Sequence, residues 1–177
     1  MITKVSNPDG LLDSELDRKV ERVKVLLIND KNELLLCHTD DGYSFIGGHV
    51  ENGESPRRCL KRELLEETGI SIFVPQADLF FERKSYESNY FGSGKNCLSI
   101  IYYFVLKTNK PVNVSRMKLD EKEKKKNFEL KFVPLADVEK LLAGDEMAFE
   151  KFGLYVEMLE VLNAYQESQA ENIKKAE

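Results

Sequence analysis

The chain has 177 residues, 42% of them hydrophobic, which is enough for one well-formed core and short for two, so a single domain over residues 1–177 with its core at about 20–165 is expected. Its 26 basic and 31 acidic residues leave a net charge of −5, which speaks against a wide electrostatic footprint for duplex nucleic acid and for small partners. No stretch reaches the roughly 18 to 20 apolar residues of a membrane span, and Met1-Ile2-Thr3-Lys4 runs into polar Asn7-Pro8-Asp9-Gly10 rather than the apolar centre of a secretion signal, so the expectation is no membrane partner and a cytoplasmic home.

The residues before Arg22 are charged and harder to place. Branched apolar runs at Val23 to Ile28 and Glu33 to Cys37, split by the turn residues Asn29-Asp30-Lys31-Asn32, predict a hairpin. Tyr43 to Ile46 alternates like a short strand and enters Gly47-Gly48, a pair that lets the backbone turn sharply. Ser55 as cap, Pro56 at the first helical position and Gly69 as the left-handed residue past the end predict a helix over Pro56 to Thr68. Strands are expected near Ile70 to Val74, Leu79 to Tyr86 and Leu98 to Leu106, with the polar connection Glu87 to Lys95 overhanging a cleft. The basic cluster Lys122 and Lys124 to Lys126, broken by Glu123 and preceded by Asp120-Glu121, reads as a solvated loop. A strand at Phe128 to Val133 should lead through Pro134 into a helix at Leu135 to Leu142. A closing helix is expected at Phe149 to Ala164, with a frayed polar end from Gln166 to Glu177. In that helix Tyr155, Met158, Leu159 and Leu162 form an apolar stripe, suited to its own core or, in a homodimer, to a second copy. Cys37, Cys59 and Cys97 are odd in number and lack metal spacing, so they read as buried thiols. Helices and strands mix without regular alternation, which is the α+β class.

The chemistry concentrates between residues 48 and 70. Glu63, Glu66 and Glu67 are related by i, i+3 and i+4, which puts three carboxylates on one helix face. Like charges at these spacings oppose an isolated helix by roughly 0.2 to 0.5 kcal/mol per pair. A divalent cation reverses the sign, because Mg2+ or Mn2+ takes hard oxygen ligands and leaves positions open for phosphate oxygens. Leu60 and Leu64, four apart beside the acidic face, would anchor that flank to a sheet.

Written as a pattern, the segment is Gly48, five residues, Glu54, seven residues, Arg62-Glu63, Leu64, one residue, Glu66-Glu67, one residue, Gly69-Ile70. It resembles the Nudix box, G-x5-E-x7-R-E-U-x-E-E-x-G-U with U bulky and aliphatic, at every fixed position. The resemblance implies the Nudix fold, a mixed β-sheet sandwiched between α-helices. It also implies a Nudix-type pyrophosphohydrolase that uses Mg2+, with Mn2+ as substitute, to cleave a diphosphate bond in a nucleoside diphosphate linked to another moiety. A nucleoside triphosphate, a dinucleoside polyphosphate or a nucleotide sugar would fit. By the same resemblance the Gly48 carbonyl, Glu63, Glu66 and Glu67 are metal ligands, Glu63 is a further ligand or the general base, and Arg62 orients a glutamate by ion pairing with Glu54 completing the network. Some relatives take their base from a distant loop, where this chain offers Asp120, Glu121 and Glu123. Ile46 stands where many relatives carry a proline before the double glycine.

For substrate contacts the residues are Tyr43, His49 and Tyr86, the last lying sixteen residues past Ile70 where some dinucleoside polyphosphate hydrolases carry a tyrosine. Phe45, Tyr90 and Phe91 are further aromatic candidates for a nucleobase wall. Two alternatives stand beside hydrolysis of small nucleotides: a catalytically silent Nudix-fold nucleotide sensor, and an RNA 5'-end pyrophosphohydrolase, which the acidic net charge disfavours.

Overall fold

The computed structural model describes residues 1–73, 76–147 and 152–176. In chain order the elements are β1 (Ile2–Ser6), β2 (Arg18–Ile28), β3 (Glu33–Thr39), β4 (Gly42–Phe45), α1 (Pro56–Thr68), β5 (Asp78–Glu87), β6 (Cys97–Lys107), α2 (Glu121–Lys125), β7 (Glu129–Pro134), α3 (Val138–Ala143) and α4 (Phe152–Ala176). They fall into two compact units, Met1–Leu27 with Ile46–Lys118, and Ile28–Phe45 with Leu119–Glu177.

In the first unit the strands lie in the order β1, β5, β6, β2. β1 runs parallel to β5, with Ile2 opposite Phe81, whereas β5 and β6 form an antiparallel hairpin, so the sheet is mixed and the class is α+β. β2 shows the two-residue period of a strand with one buried face: Val23 and Val25 are fully buried, while Arg22 and Lys24 between them are half-buried on the other face. The Gly47-Gly48 turn and the residues around it run antiparallel to β2. The N–H groups of Val25, Val23 and Val50 donate to the carbonyls of Ile46, Gly48 and Glu21 at 3.0, 2.9 and 2.9 Å.

Helix α1 has the bounds that its sequence predicts, and its ends show why. Ser55 is extended and its hydroxyl accepts the N–H of Arg58, Pro56 opens the first turn, and Gly69 leaves at φ 69 while its N–H returns to the Leu65 carbonyl at 3.0 Å. Leu60 and Leu64 are fully buried.

In the second unit β3 is the centre, pairing antiparallel with β4 on one side and β7 on the other. The Tyr155 hydroxyl accepts the Tyr43 N–H at 3.0 Å and donates to Asp145, which ties α4 to β4. Tyr155, Met158, Val161, Leu162 and Tyr165 are buried and Leu159 half-buried, so the apolar stripe of α4 is covered within this chain. Among the described residues no helix is long and apolar enough to cross a membrane.

The first residues, which the sequence left unplaced, form β1 with all five side chains exposed. Four expectations are corrected. The basic cluster read as a solvated loop forms the short helix α2 over Glu121–Lys125. Ile70 to Phe73 is irregular rather than a strand, with Ile70 and Ile72 buried without ladder pairing; Val74 lies outside the described residues. The helix expected at Leu135 begins as a 3-10 turn, Leu135–Asp137, and becomes α3 only at Val138. Helix α4 continues to Ala176 instead of fraying at Gln166, since its Gln, Glu, Ala and Lys residues favour helix; Phe149 to Lys151 and Glu177 lie outside the described residues.

At Gly69 a Cβ would meet the Asn113 carbonyl oxygen at 2.0 Å, on top of the left-handed backbone. Gly69→Ala is therefore expected to destabilise the protein by about 1 to 3 kcal/mol, measurable as a lower midpoint in urea denaturation.

Candidate active site

The acidic face of α1 meets the Gly47-Gly48 turn closely. Glu67, 6% exposed, accepts the Gly47 N–H at 2.8 Å. Glu63, 7% exposed, lies so near Gly48 that a Cβ there would stand 2.4 Å from its Oε1, so the second glycine is needed for space. Arg62 gathers the remaining charge: Nε and Nη2 donate to the two oxygens of Glu54 at 3.2 and 3.0 Å, and Nη1 donates to Glu63 at 2.8 Å and Glu66 at 3.1 Å. Its Nη2 also donates to the His49 carbonyl at 3.0 Å. One guanidinium thus holds three carboxylates and the box loop together.

Burial pushes the Glu63 carboxyl above the ordinary glutamate range; the Arg62 cation pulls the other way, the Glu66 charge adds to the rise, and Lys24 opposes it. Burial also lifts Glu54, but hydrogen bonds from Arg62 and from the Glu51 N–H outweigh it and hold Glu54 below its usual value. The Cys59 thiol, which donates to the His49 carbonyl at 3.3 Å, is pushed up to about 12 by burial and by the charges of Glu63 and Glu54. It is a neutral packing thiol, and Cys37 and Cys97 are likewise buried thiols.

Two cations that sequence reasoning missed face this turn from β2. Lys24 Nζ donates to the Gly47 carbonyl at 3.1 Å, and Arg22 Nε donates to His49 Nε2 at 3.1 Å. The signal was present in Arg22-Val23-Lys24-Val25, where two charges alternate with buried valines. The Gly48 carbonyl, expected to face a metal, accepts the Val23 N–H, while that of Gly47 meets the Lys24 ammonium.

The other candidates are placed as follows. The Tyr86 hydroxyl donates to Asp13 at 2.8 Å. Tyr43, in the second unit, packs its ring 4.4 Å from that of His38, with Lys131 5.7 Å from its centroid. Asp120 and Glu123, also in the second unit, cap α2 reciprocally: the Glu123 N–H donates to Asp120 at 2.7 Å and the Asp120 N–H to Glu123 at 2.6 Å, while Glu121 pairs with Lys124. Tyr90 is buried and Phe91 86% exposed.

The donors of the α1 face are hard carboxylate oxygens beside backbone carbonyls, the chemistry that Mg2+ and Mn2+ prefer. Among the described residues no three His, Cys, Asp or Glu side chains are grouped as an ion would hold them; Arg62 takes oxygens of Glu63 and Glu66.

A family model described as the NUDIX domain matches residues 18–171. Over 76 residues the chain is 33% identical to the 8-oxo-dGTP diphosphatase of Escherichia coli (strain K12), an alignment covering 40% of this chain and 57% of that protein. Over 56 residues it is 39% identical to the NAD-capped RNA hydrolase NudC of Stutzerimonas stutzeri (strain A1501), covering 29% of this chain and 20% of that protein. The matched segments therefore span less than two thirds of either curated relative. The solution structure of the E. coli ORF135 protein superposes with a TM-score of 0.52 at 19% identity, covering 91% of this chain and 96% of that one, a likeness of fold.

Because the folded Glu63 carboxyl is raised, ionising it costs stability; the loss begins as pH climbs through the ordinary glutamate range and persists at neutral pH. In the presence of a chelator, Glu63→Gln is expected to melt higher than the parent at neutral pH, with the gain gone below about pH 4. Thermal melts across that range check it, and a lower neutral melting point in the variant would show that the bond from Arg62 dominates.

Proposed function

The chain belongs to the Nudix family, and on that premise we propose that it is a magnesium-dependent pyrophosphohydrolase of small nucleotides. Its substrate would be a nucleoside diphosphate linked to a further group, cleaved within the phosphate chain. The observation that carries this is the acidic face of α1 packed under the glycine turn, with Glu63 against Gly48 and Arg62 bridging Glu54, Glu63 and Glu66.

Glu63, Glu66 and Glu67 would hold the ion together with a carbonyl of the turn. The Gly48 oxygen retains a lone pair beside its bond to Val23, and the Gly47 oxygen is the alternative. When bound, the ion supplies polarisation of phosphate oxygens and a more acidic water. The protein's part is positioning. The Gly47 N–H fixes Glu67, and Arg62 orients Glu63 and Glu66. Glu63, its proton affinity raised by burial, suits the removal of a proton from the attacking water better than the capping acids of α2 do.

The substrate class is supported by the two curated relatives, one named for 8-oxo-dGTP and the other for NAD-capped RNA, both bearing a diphosphate on a nucleoside. The second name favours an RNA 5' end as the alternative substrate, against which the net charge of −5 weighs. A silent sensor is the weaker reading, since every fixed position of the box is kept. The three free thiols agree with a cytoplasmic enzyme.

A hydrolysis screen over nucleotides with Mg2+ and Mn2+, with products identified, tests the proposal. Glu67→Gln should lower kcat by roughly 100- to 1,000-fold while circular dichroism stays unchanged; unchanged turnover in that variant would refute the assignment.

A further inference from the structure

Arg22 is held unlike Arg62. Its Nε donates to His49 Nε2 at 3.1 Å, Nη1 to the Ser99 hydroxyl at 3.1 Å and Nη2 to the Tyr90 hydroxyl at 3.0 Å. The holders come from the box loop, β6 and the β5–β6 connection, and none of them is a carboxylate. Among the described residues no carboxylate pairs with this guanidinium. It is half-buried, and Ser99 beside it is only 6% exposed.

A partly desolvated cation with no carboxylate among its holders is an uncompensated charge, which is costly unless an anion arrives. The three bonds also fix the plane of the fork and leave two of its five N–H donors to reach a ligand. Simple reinforcement of the loop would be served as well by a neutral donor, without the charge. The anion must come to the place where Arg22 stands, and His49 links that place to the acid-bridging Arg62, which bonds the His49 carbonyl. Lys24, two residues along on the same face of β2, adds a second positive group at Gly47.

We propose that Arg22 is a phosphate-binding residue of this site, taking a phosphate of the nucleotide that is not clamped against the carboxylates of α1. The assignment rests on the reading of the box given above and extends it to the second end of the phosphate chain. In this arrangement His49, one of the candidate substrate contacts, also aims the arginine.

Calorimetric titration of the full chain with ADP in the presence of Mg2+, at low and high salt, tests this. Arg22→Ala should weaken ADP binding by roughly 10- to 100-fold and flatten its salt dependence. Arg22→Lys, which keeps the charge and loses the fork, should recover part of the loss. Tyr90→Phe, which removes one holder and leaves the charge, should cost less than Arg22→Ala. If the alanine variant does not fold, Arg22→Gln takes its place, since it retains donors for the same holders without the charge, and the same loss is expected of it. Parent-like ADP binding in the uncharged variant, or a loss in Tyr90→Phe as large as in Arg22→Ala, would make Arg22 a structural staple and overturn the proposal. A parent protein that neither binds ADP nor hydrolyses any nucleotide would instead bring down the reading of the box, and this proposal with it.

Discussion

Like charge crowded onto one face of a thirteen-residue helix is the constraint around which the site is arranged. The carboxylates are held by two positive partners, a backbone amide and one guanidinium. Glu67 takes a backbone amide, Glu63 and Glu66 share Arg62, and Arg62 is steadied from behind by Glu54. Take away one partner and a desolvated charge is left, which costs several kcal/mol in buried settings. The glycines answer the same problem sterically. Gly48 makes room for the Glu63 oxygens, and at Gly47 a Cβ would stand 2.2 Å from the Val23 carbonyl oxygen, so the turn closes on both α1 and β2 only because neither residue has a side chain.

His49 is the junction of this arrangement. Its ring receives Arg22 while its carbonyl receives Arg62 and the Cys59 thiol, so two cations with different surroundings meet through one residue of the loop. Burial lifts both Cys59 and Glu63, with carboxylate neighbours adding to each rise and Arg62 opposing it.

How much the residues alone disclosed depended on whether each signal was local. Ser55, Pro56 and Gly69 act within one turn of chain, and α1 has the bounds they dictate. The acidic face and Arg62 were legible because they share that helix. Arg22 and Lys24 were not singled out, because their aim is set by the pairing of β2 with the glycine turn, a long-range fact that β2's own pattern leaves open. Tyr86 had a suggestive position, yet its hydroxyl is engaged by Asp13 from a segment that was harder to place. Ile70 to Phe73 shows the opposite failure, where branched apolar residues are buried without joining a ladder. Asp120 and Glu123 read as distant acids, and their reciprocal bonds, which start a short helix, were set by spacing along the same segment.

β1 lies at the outer end of its sheet, beside β5, with every side chain in water and two of them, Ile2 at 42% and Val5 at 58% exposed, apolar. Its backbone ladder to β5 and a hydrogen bond from the Thr3 hydroxyl to Glu82 fasten it, and a strand without buried side chains peels easily. It acts as a bandage over β5. Were it to lift, β5 would present a bare row of amides and carbonyls with Phe81 close by, a ready template for strands of other molecules. With β1 in place, the open edge of the sheet belongs to a strand whose side chains are all exposed instead of to one that carries buried Phe81.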